Sequence, residues 1–228
     1  MQACIYFWTS KLLKLILMTI KTFTFNPFQE NSYLIYDETK EATYIDAGCL
    51  NNKEKEIVKG FIEDNNLILK RVINTHLHLD HQFGNKFLFD TYGIAPEACI
   101  EDEFLLDNIV SQAQSFGIPI NEETQMLGAY ITDNQTITFG HSSLQALHVP
   151  GHSPGSMAFY SEKNGILFAG DVLFQGSIGR TDLPKGDYAT LITSITKKLL
   201  TLPDSTIVYC GHGPTTTIGN EKTNNPFL

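Results

Sequence analysis

The sequence predicts an α+β fold in which two mixed β-sheets face each other and helices cover their outer sides. Short β-rich runs cluster in both halves of the 228-residue chain, and amphipathic helical segments punctuate each cluster. The residues able to do chemistry fall at the ends of the predicted strands.

Residues 20–25, 32–36 and 42–45 are rich in β-branched and aromatic side chains, and Asn-Pro and Asp/Glu/Lys turns separate them. That pattern reads as an antiparallel meander. Residues 51–65 place Ile57, Val58, Phe61 and Ile62 on one helical face with charge opposite. A strand at 67–73 follows, and a histidine cluster comes directly after it. Helices are predicted at 83–92 and 103–116, stopped by Gly93 and Gly117. The second half supplies strands at 135–139, 144–149, 156–160 and 166–169, an amphipathic helix at 188–202, and a last strand at 206–210.

No internal repeat or low-complexity linker divides the chain, which is read as one domain over 18–228 preceded by an extension at 1–17. Residues 1–20 are largely apolar, but Lys11 and Lys14 interrupt the run and no small-residue cleavage site follows. The stretch is also short for a membrane span. The expectation is an upstream extension with Met18 as a candidate start; a cleaved signal or an anchor is the alternative.

Composition bounds the function. With 25 acidic against 16 basic residues the formal charge is −9, which repels phosphate backbones and argues against broad nucleic-acid binding. Cys4, Cys49, Cys99 and Cys210 form no C-x-x-C pair and no disulfide framework. They read as free thiols of a reducing, cytoplasmic compartment. No membrane association is expected, and oligomeric state is not legible.

The densest chemistry is His76-Leu77-His78-Leu79-Asp80-His81, an H-x-H-x-D-H spacing that packs nitrogen and oxygen donors into a small volume. Imidazole with carboxylate suits borderline divalent cations such as zinc. Because the segment leaves a strand, successive side chains can aim differently, and one loop can serve two ions. His152 follows in a turn-rich Pro-Gly-His-Ser-Pro-Gly loop, Asp171 ends an apolar run, and His212 ends the last strand between glycines. A single loop histidine is ordinary, and His141 in a polar turn and His148 inside a strand are read as non-ligands. The ordered set of H-x-H-x-D-H, P-G-H, G-D and G-H-G is not ordinary.

That order resembles the metallo-β-lactamase superfamily from Met18 to Leu228, and Ile45-Asp46-Ala47-Gly48 resembles its first motif, whose aspartate braces the metal loops. The resemblance implies a four-layer αββα sandwich with the site at one edge between the sheets. It implies His76, His78 and His152 on one cation, Asp80, His81 and His212 on a second, and Asp171 bridging them. Two divalent metal ions are expected, zinc first, with iron or manganese as alternatives. Within the superfamily the segments 170–174, 178–182 and 211–227 are similar to compact bacterial glyoxalase II-like proteins, hydroxyacylglutathione hydrolases. The implied substrate is a small-molecule thioester of the S-acylglutathione kind. A hydroxide shared by the ions attacks its carbonyl, with Asp80 as the catalytic residue that orients it. A thiol of pKa about 8.5 departs without a separate general acid.

Two departures bear on glutathione. Sixteen residues follow His212, where longer family members continue into a helical region that grips glutathione. Arg180 aligns with a substrate-binding basic residue, but Asp182 stands where an aromatic hydroxyl is expected. The competing reading is a mononuclear iron persulfide dioxygenase, which uses positions matching His76, His152 and Asp171. A non-catalytic structural metal protein is the weaker alternative, since structural zinc sites are closed by four ligands. Phe28, Phe174 and Phe227 are read as packing residues, with a place in the substrate wall as the alternative.

Overall fold

Alternation along the first strands decides which layer each side chain joins. In the computed structural model, which describes residues 18–228 except 108, 119 and 121–123, β1 (Thr19–Phe25), β2 (Glu30–Tyr36) and β3 (Glu41–Ile45) pair antiparallel in sequence order. The extension at 1–17 lies outside the described residues, and so does Cys4. Tyr33 and Ile35 of β2 face the second sheet, while Leu34 between them faces a helix, as a period of two requires. Both faces are therefore buried.

That helix is α1 (Asn52–Asp64), and it begins in a capping box. Asn51 Oδ1 accepts the Glu54 N–H at 3.1 Å, and the Glu54 carboxylate accepts the Asn51 N–H at 3.2 Å. Val58 and Ile62 are buried against Leu34, Tyr44 and Val72, whereas Ile57 is 46% exposed, so the apolar face is narrower than the sequence suggested. The crossover places β4 (Ile68–Ile73) parallel to β3. α2 (Asn85–Tyr92) stops at Gly93, whose φ of 72° is the left-handed cap predicted there. β5 (Pro96–Ala98) adds parallel to β4 and, after α3 (Ile109–Ser115), β6 (Ala129–Tyr130) completes a sheet ordered β1-β2-β3-β4-β5-β6.

The helix predicted over 103–116 is instead two pieces, a 3₁₀ segment at Ile100–Leu105 and then α3. Asp107 falls between the two pieces; such a side chain competes for backbone hydrogen bonds and weakens a helix interior.

The second sheet runs antiparallel through β7 (Thr136–Phe139), β8 (Ser142–His148), β9 (Met157–Ser161) and β10 (Ile166–Gly170). A small hairpin, β11 (Leu173–Phe174) and β12 (Ser177–Ile178), leads into α4 (Tyr188–Ser194). The chain continues in wider π-type turns over Ile195–Leu199, so the predicted 188–202 helix is shorter and irregular at its end. Leu191, Ile195 and Leu199 recur every fourth residue and bury against Leu167 and Val208. β13 (Ile207–Cys210) lies parallel to β10, β14 (Thr216–Thr217) borders it, and α5 (Ile218–Asn224), not anticipated from sequence, starts on the Thr217 hydroxyl. The order is β14-β13-β10-β9-β8-β7.

Between the sheets Tyr33, Ile45 and Ile73 meet Phe159 and Phe168, and α1 and α4 cover the outer faces. This is the predicted layer sequence of helix, sheet, sheet, helix. Among the described residues no helix is long and apolar enough to cross a membrane.

Candidate metal centre

The loop after β4 alternates anchors with donors. Leu77 and Leu79 are buried in an apolar cluster, which fixes the backbone while His76 and His78 point the other way. The 3₁₀ turn at Leu79–His81 then redirects Asp80 and His81. Asp46 braces the start of this loop, its Oδ1 accepting Thr75 N–H at 2.7 Å and its Oδ2 accepting the Thr75 hydroxyl at 2.7 Å. Asp46 itself sits at φ 53°, a backbone state costing a non-glycine residue about 1–3 kcal/mol, held there by those bonds.

The second sheet delivers the remaining donors from the ends of three strands: His152 beyond β8, Asp171 at the end of β10, and His212 beyond β13. Gly211 is required beside them, because a Cβ there collides with the Asp171 carboxylate. The His212 loop is fastened to the first sheet, where Asn31 N–H donates to Gly211 O at 2.7 Å and Asn31 Nδ2 to Gly213 O at 2.8 Å.

All the expected donors converge. His152 Nε2 lies 2.8 Å from His78 Nδ1 and 3.3 Å from His76 Nε2. His212 Nε2 lies 3.2 Å from Asp80 Oδ2 and 3.4 Å from Asp171 Oδ2, and His81 Nε2 lies 3.3 Å from Asp171 Oδ1. Asp171 Oδ2 is also 3.7 Å from His152 Nε2, so this one carboxylate faces both groups. Three overlapping ligand triads result: His76/His78/His152, His76/His81/Asp171 and Asp80/His81/His212.

The residues fit a pair of cations. Inward-facing imidazole nitrogens crowd together, and the buried Nε2 of His81 and Oδ1 of Asp171 have no hydrogen-bond partner. The outward nitrogens are held: His152 Nδ1–H donates to Arg180 O at 2.8 Å, His212 Nδ1–H to Phe28 O at 3.0 Å, and His76 Nδ1–H to Thr75 Oγ1 at 3.0 Å. Each bond places a proton on Nδ1 and leaves Nε2 as the ring atom that faces the centre. His81 Nδ1 faces Asp46 Oδ2 at 3.1 Å.

Electrostatics divide the centre. Burial, reinforced by neighbouring imidazoles, pushes His76 well below the usual histidine range and His78 down to about 3. Burial also opposes a charged His81 and His212, but the Asp171 and Asp80 carboxylates outweigh it, raising His81 well above its usual value and His212 to about 10. Asp171 is held well below the carboxylate range, because the His81 and His212 charges overcome its burial.

Two buried carboxylates that sequence reading missed support the loops. Asp102 accepts from Leu77 N–H at 3.2 Å, Ser153 Oγ at 2.7 Å and Gly155 N–H at 2.6 Å, tying the His76 loop to the His152 loop. Glu30 accepts the Ser32 hydroxyl at 2.8 Å, lies 3.9 Å from His81 Nδ1, and forms a backbone bridge to His212. Neither belongs to a local motif. His141 pairs with Glu38 and His148 Nε2 donates to Pro154 O, both away from the centre. Cys49, Cys99 and Cys210 are buried free thiols.

A cavity of about 880 Å³ opens over the centre, with Asp80, His152, Asp171 and His212 in its lining. Phe28 and Phe174 also line it, so both are wall residues as well as packing residues; Phe227 is 48% exposed and does neither. Arg180 lines the cavity with an exposed side chain that forms a two-pronged pair with Asp182, at 2.7 and 2.6 Å.

Two mixed sheets with this donor set at their common edge define a metallohydrolase. The chain belongs to the Metallo-beta-lactamase superfamily, whose family description matches residues 25–212. It is 41% identical over 212 residues to the hydroxyacylglutathione hydrolase GloC of Haemophilus influenzae, covering 92% of this chain and 98% of that protein. Among solved structures it resembles BLEG-1, a B3 metallo-beta-lactamase, at 37% identity and a TM-score of 0.83, over 92% of this chain and 99% of that one. It also resembles TTHA1623 in a di-iron-bound form, at 35% identity and a TM-score of 0.81, over 91% and 100%.

Proposed function

We propose that this protein is a metal-dependent thioesterase of the glyoxalase II type, cleaving S-acylglutathione-like thioesters. The observation that carries the reading is the shared Asp171, which faces both donor groups and lines a cavity large enough for a small organic substrate. Similarity to GloC supports the same direction. When bound, a pair of divalent cations supplies Lewis acidity, polarising a carbonyl and lowering the pKa of water toward about 7.

The protein's own groups do the rest. His76 and His78 present neutral nitrogens beside the His152 ring, while Asp80, Asp171, His81 and His212 present charge. Asp80, braced by His212 at 3.2 Å, is placed to accept a hydrogen bond from the attacking water and orient it toward the carbonyl. Among the described residues, no titratable side chain apart from the centre itself and Arg180 lines the cavity. A poor leaving group therefore finds no proton donor, whereas a thiol of pKa about 8.5 leaves as the anion.

The test is a hydrolysis panel on metal-loaded protein of measured metal content: S-lactoylglutathione, other thioesters, matched oxyesters and amides, and a β-lactam because of the BLEG-1 likeness. Thioesters are expected to exceed their amide counterparts in kcat/KM by at least about 10³-fold, some 4 kcal/mol of barrier. Stoichiometric iron with oxygen uptake on glutathione persulfide, and no thioester cleavage, overturns the reading in favour of the dioxygenase.

A further inference from the structure

The cavity over the centre is larger and more apolar than a small hydroxyacyl group needs. Its roughly 880 Å³ lies near the upper end of small-molecule pockets. A three-carbon lactoyl group covers little of the apolar lining, whereas an acyl arm of matching shape removes that surface from water.

Three phenyl rings, Phe28, Phe104 and Phe116, line the cavity together with Leu79 and Leu105. Phe28 and Phe116 meet edge to face, with centroids 5.5 Å apart and planes at 87°. Phe116, at the end of α3, is 54% exposed. A phenyl ring left that open contributes little to the core, and its position on a concave wall is what a ligand-contacting ring occupies.

Charge points the same way. Glutathione carries two carboxylates, yet among the described residues Arg180 is the one Lys or Arg that lines the cavity, and Asp182 engages its guanidinium through two hydrogen bonds. The pair is neutral overall and presents a carboxylate to any incoming anion. Lys185 is near the rim, but its Nζ sits 3.6 Å over the Phe104 ring. Among the described residues that line the cavity, no pair of uncommitted cations awaits an anionic thiol.

We infer that the substrate's acyl arm is a bulky uncharged apolar group, a medium-chain aliphatic or arylacetyl unit held against Phe28, Phe104 and Phe116, and that an anionic thiol arm adds little to recognition. The inference rests on the thioesterase reading for the identity of the scissile bond, and on the cavity for everything else.

The experiment measures kcat/KM on metal-loaded protein for acetyl, lactoyl, hexanoyl and phenylacetyl thioesters, each on glutathione and on the neutral thiol N-acetylcysteamine. Hexanoyl and phenylacetyl are expected to exceed acetyl and lactoyl by at least about tenfold, since even one methylene in a fitted pocket is worth that much. Exchange of glutathione for N-acetylcysteamine is expected to cost less than about tenfold, the equivalent of about 1.4 kcal/mol. Phe116→Ala, at an exposed position, is expected to lower the hexanoyl-to-acetyl ratio about fivefold, since removing a ring contact in the pocket weakens the longer acyl arm selectively.

Acetyl or lactoyl as the best acyl group overturns the acyl assignment, as does a hexanoyl-to-acetyl ratio untouched by Phe116→Ala. A larger loss on changing the thiol overturns the second half. The uncleavable thioethers S-hexylglutathione and S-methylglutathione, titrated calorimetrically, separate the two readings. If no thioester is cleaved, the thioesterase reading falls, while tighter binding of the hexyl compound sustains the apolar pocket and equal binding removes it.

Discussion

The two donor groups of the centre lie side by side, yet they are built from opposite chemistry. His76, His78 and His152 form an all-imidazole group, and burial keeps the His76 and His78 rings neutral. Asp80, Asp171, His81 and His212 form a charge-paired group in which carboxylates hold protons on the imidazoles. The first is ready for a cation as it stands. The second is closed by its own ion pairs, and a cation entering it must displace protons.

Mutations break this contrast in order of reach. Asp171→Ala removes the carboxylate common to both groups; turnover is expected to fall by at least about 10³-fold, with metal content dropping toward one ion per chain or fewer. Parallel kinetics and elemental analysis read both effects. Asp80→Asn touches the charge-paired group alone, and a loss of about 10²-fold in kcat with the all-imidazole group still metallated is expected. Unchanged turnover in that variant removes Asp80 from the mechanism.

Asp102→Asn sharpens the comparison by acting through neither group directly. It weakens the tie between Leu77 and the Ser153–Gly155 turn, so metal affinity is expected to fall about 10–100-fold in chelator competition, with turnover recovering at saturating metal.

The smallest effect is in pH. His212, raised to about 10, and His81 are protonated at neutral pH without a cation, so affinity of their group rises as pH rises, by up to about tenfold per unit for each proton displaced. His78, down at about 3, and His76, well below the usual range, are already neutral, so neither adds pH dependence to binding over the same range. Calorimetry in buffers of different ionisation enthalpy should show proton release when the charge-paired group is filled.

The donors were legible in sequence because each sits in a short motif at a strand end, where glycine or a tight turn leaves a local trace. Asp46 was legible for the same reason. Asp102 and Glu30 were not: each is an acidic residue whose role comes from the three-dimensional approach of other loops, and no spacing records that. The same limit explains α3, where 103–116 was read as one helix but the chain breaks at Asp107 into a 3₁₀ segment and a shorter helix. It also explains β5 and β6, too short for any alternation to register.

One consequence follows from how the donors are distributed. His76, His78, Asp80 and His81 ride on the first sheet's loop, while His152, Asp171 and His212 ride on the second, so every cation held here rivets one half of the chain to the other. Prying the sheets apart then means tearing ligands from both ions at once. The loaded protein is accordingly expected to melt in a single step, and stripping its ions should loosen the seam before either sheet frays.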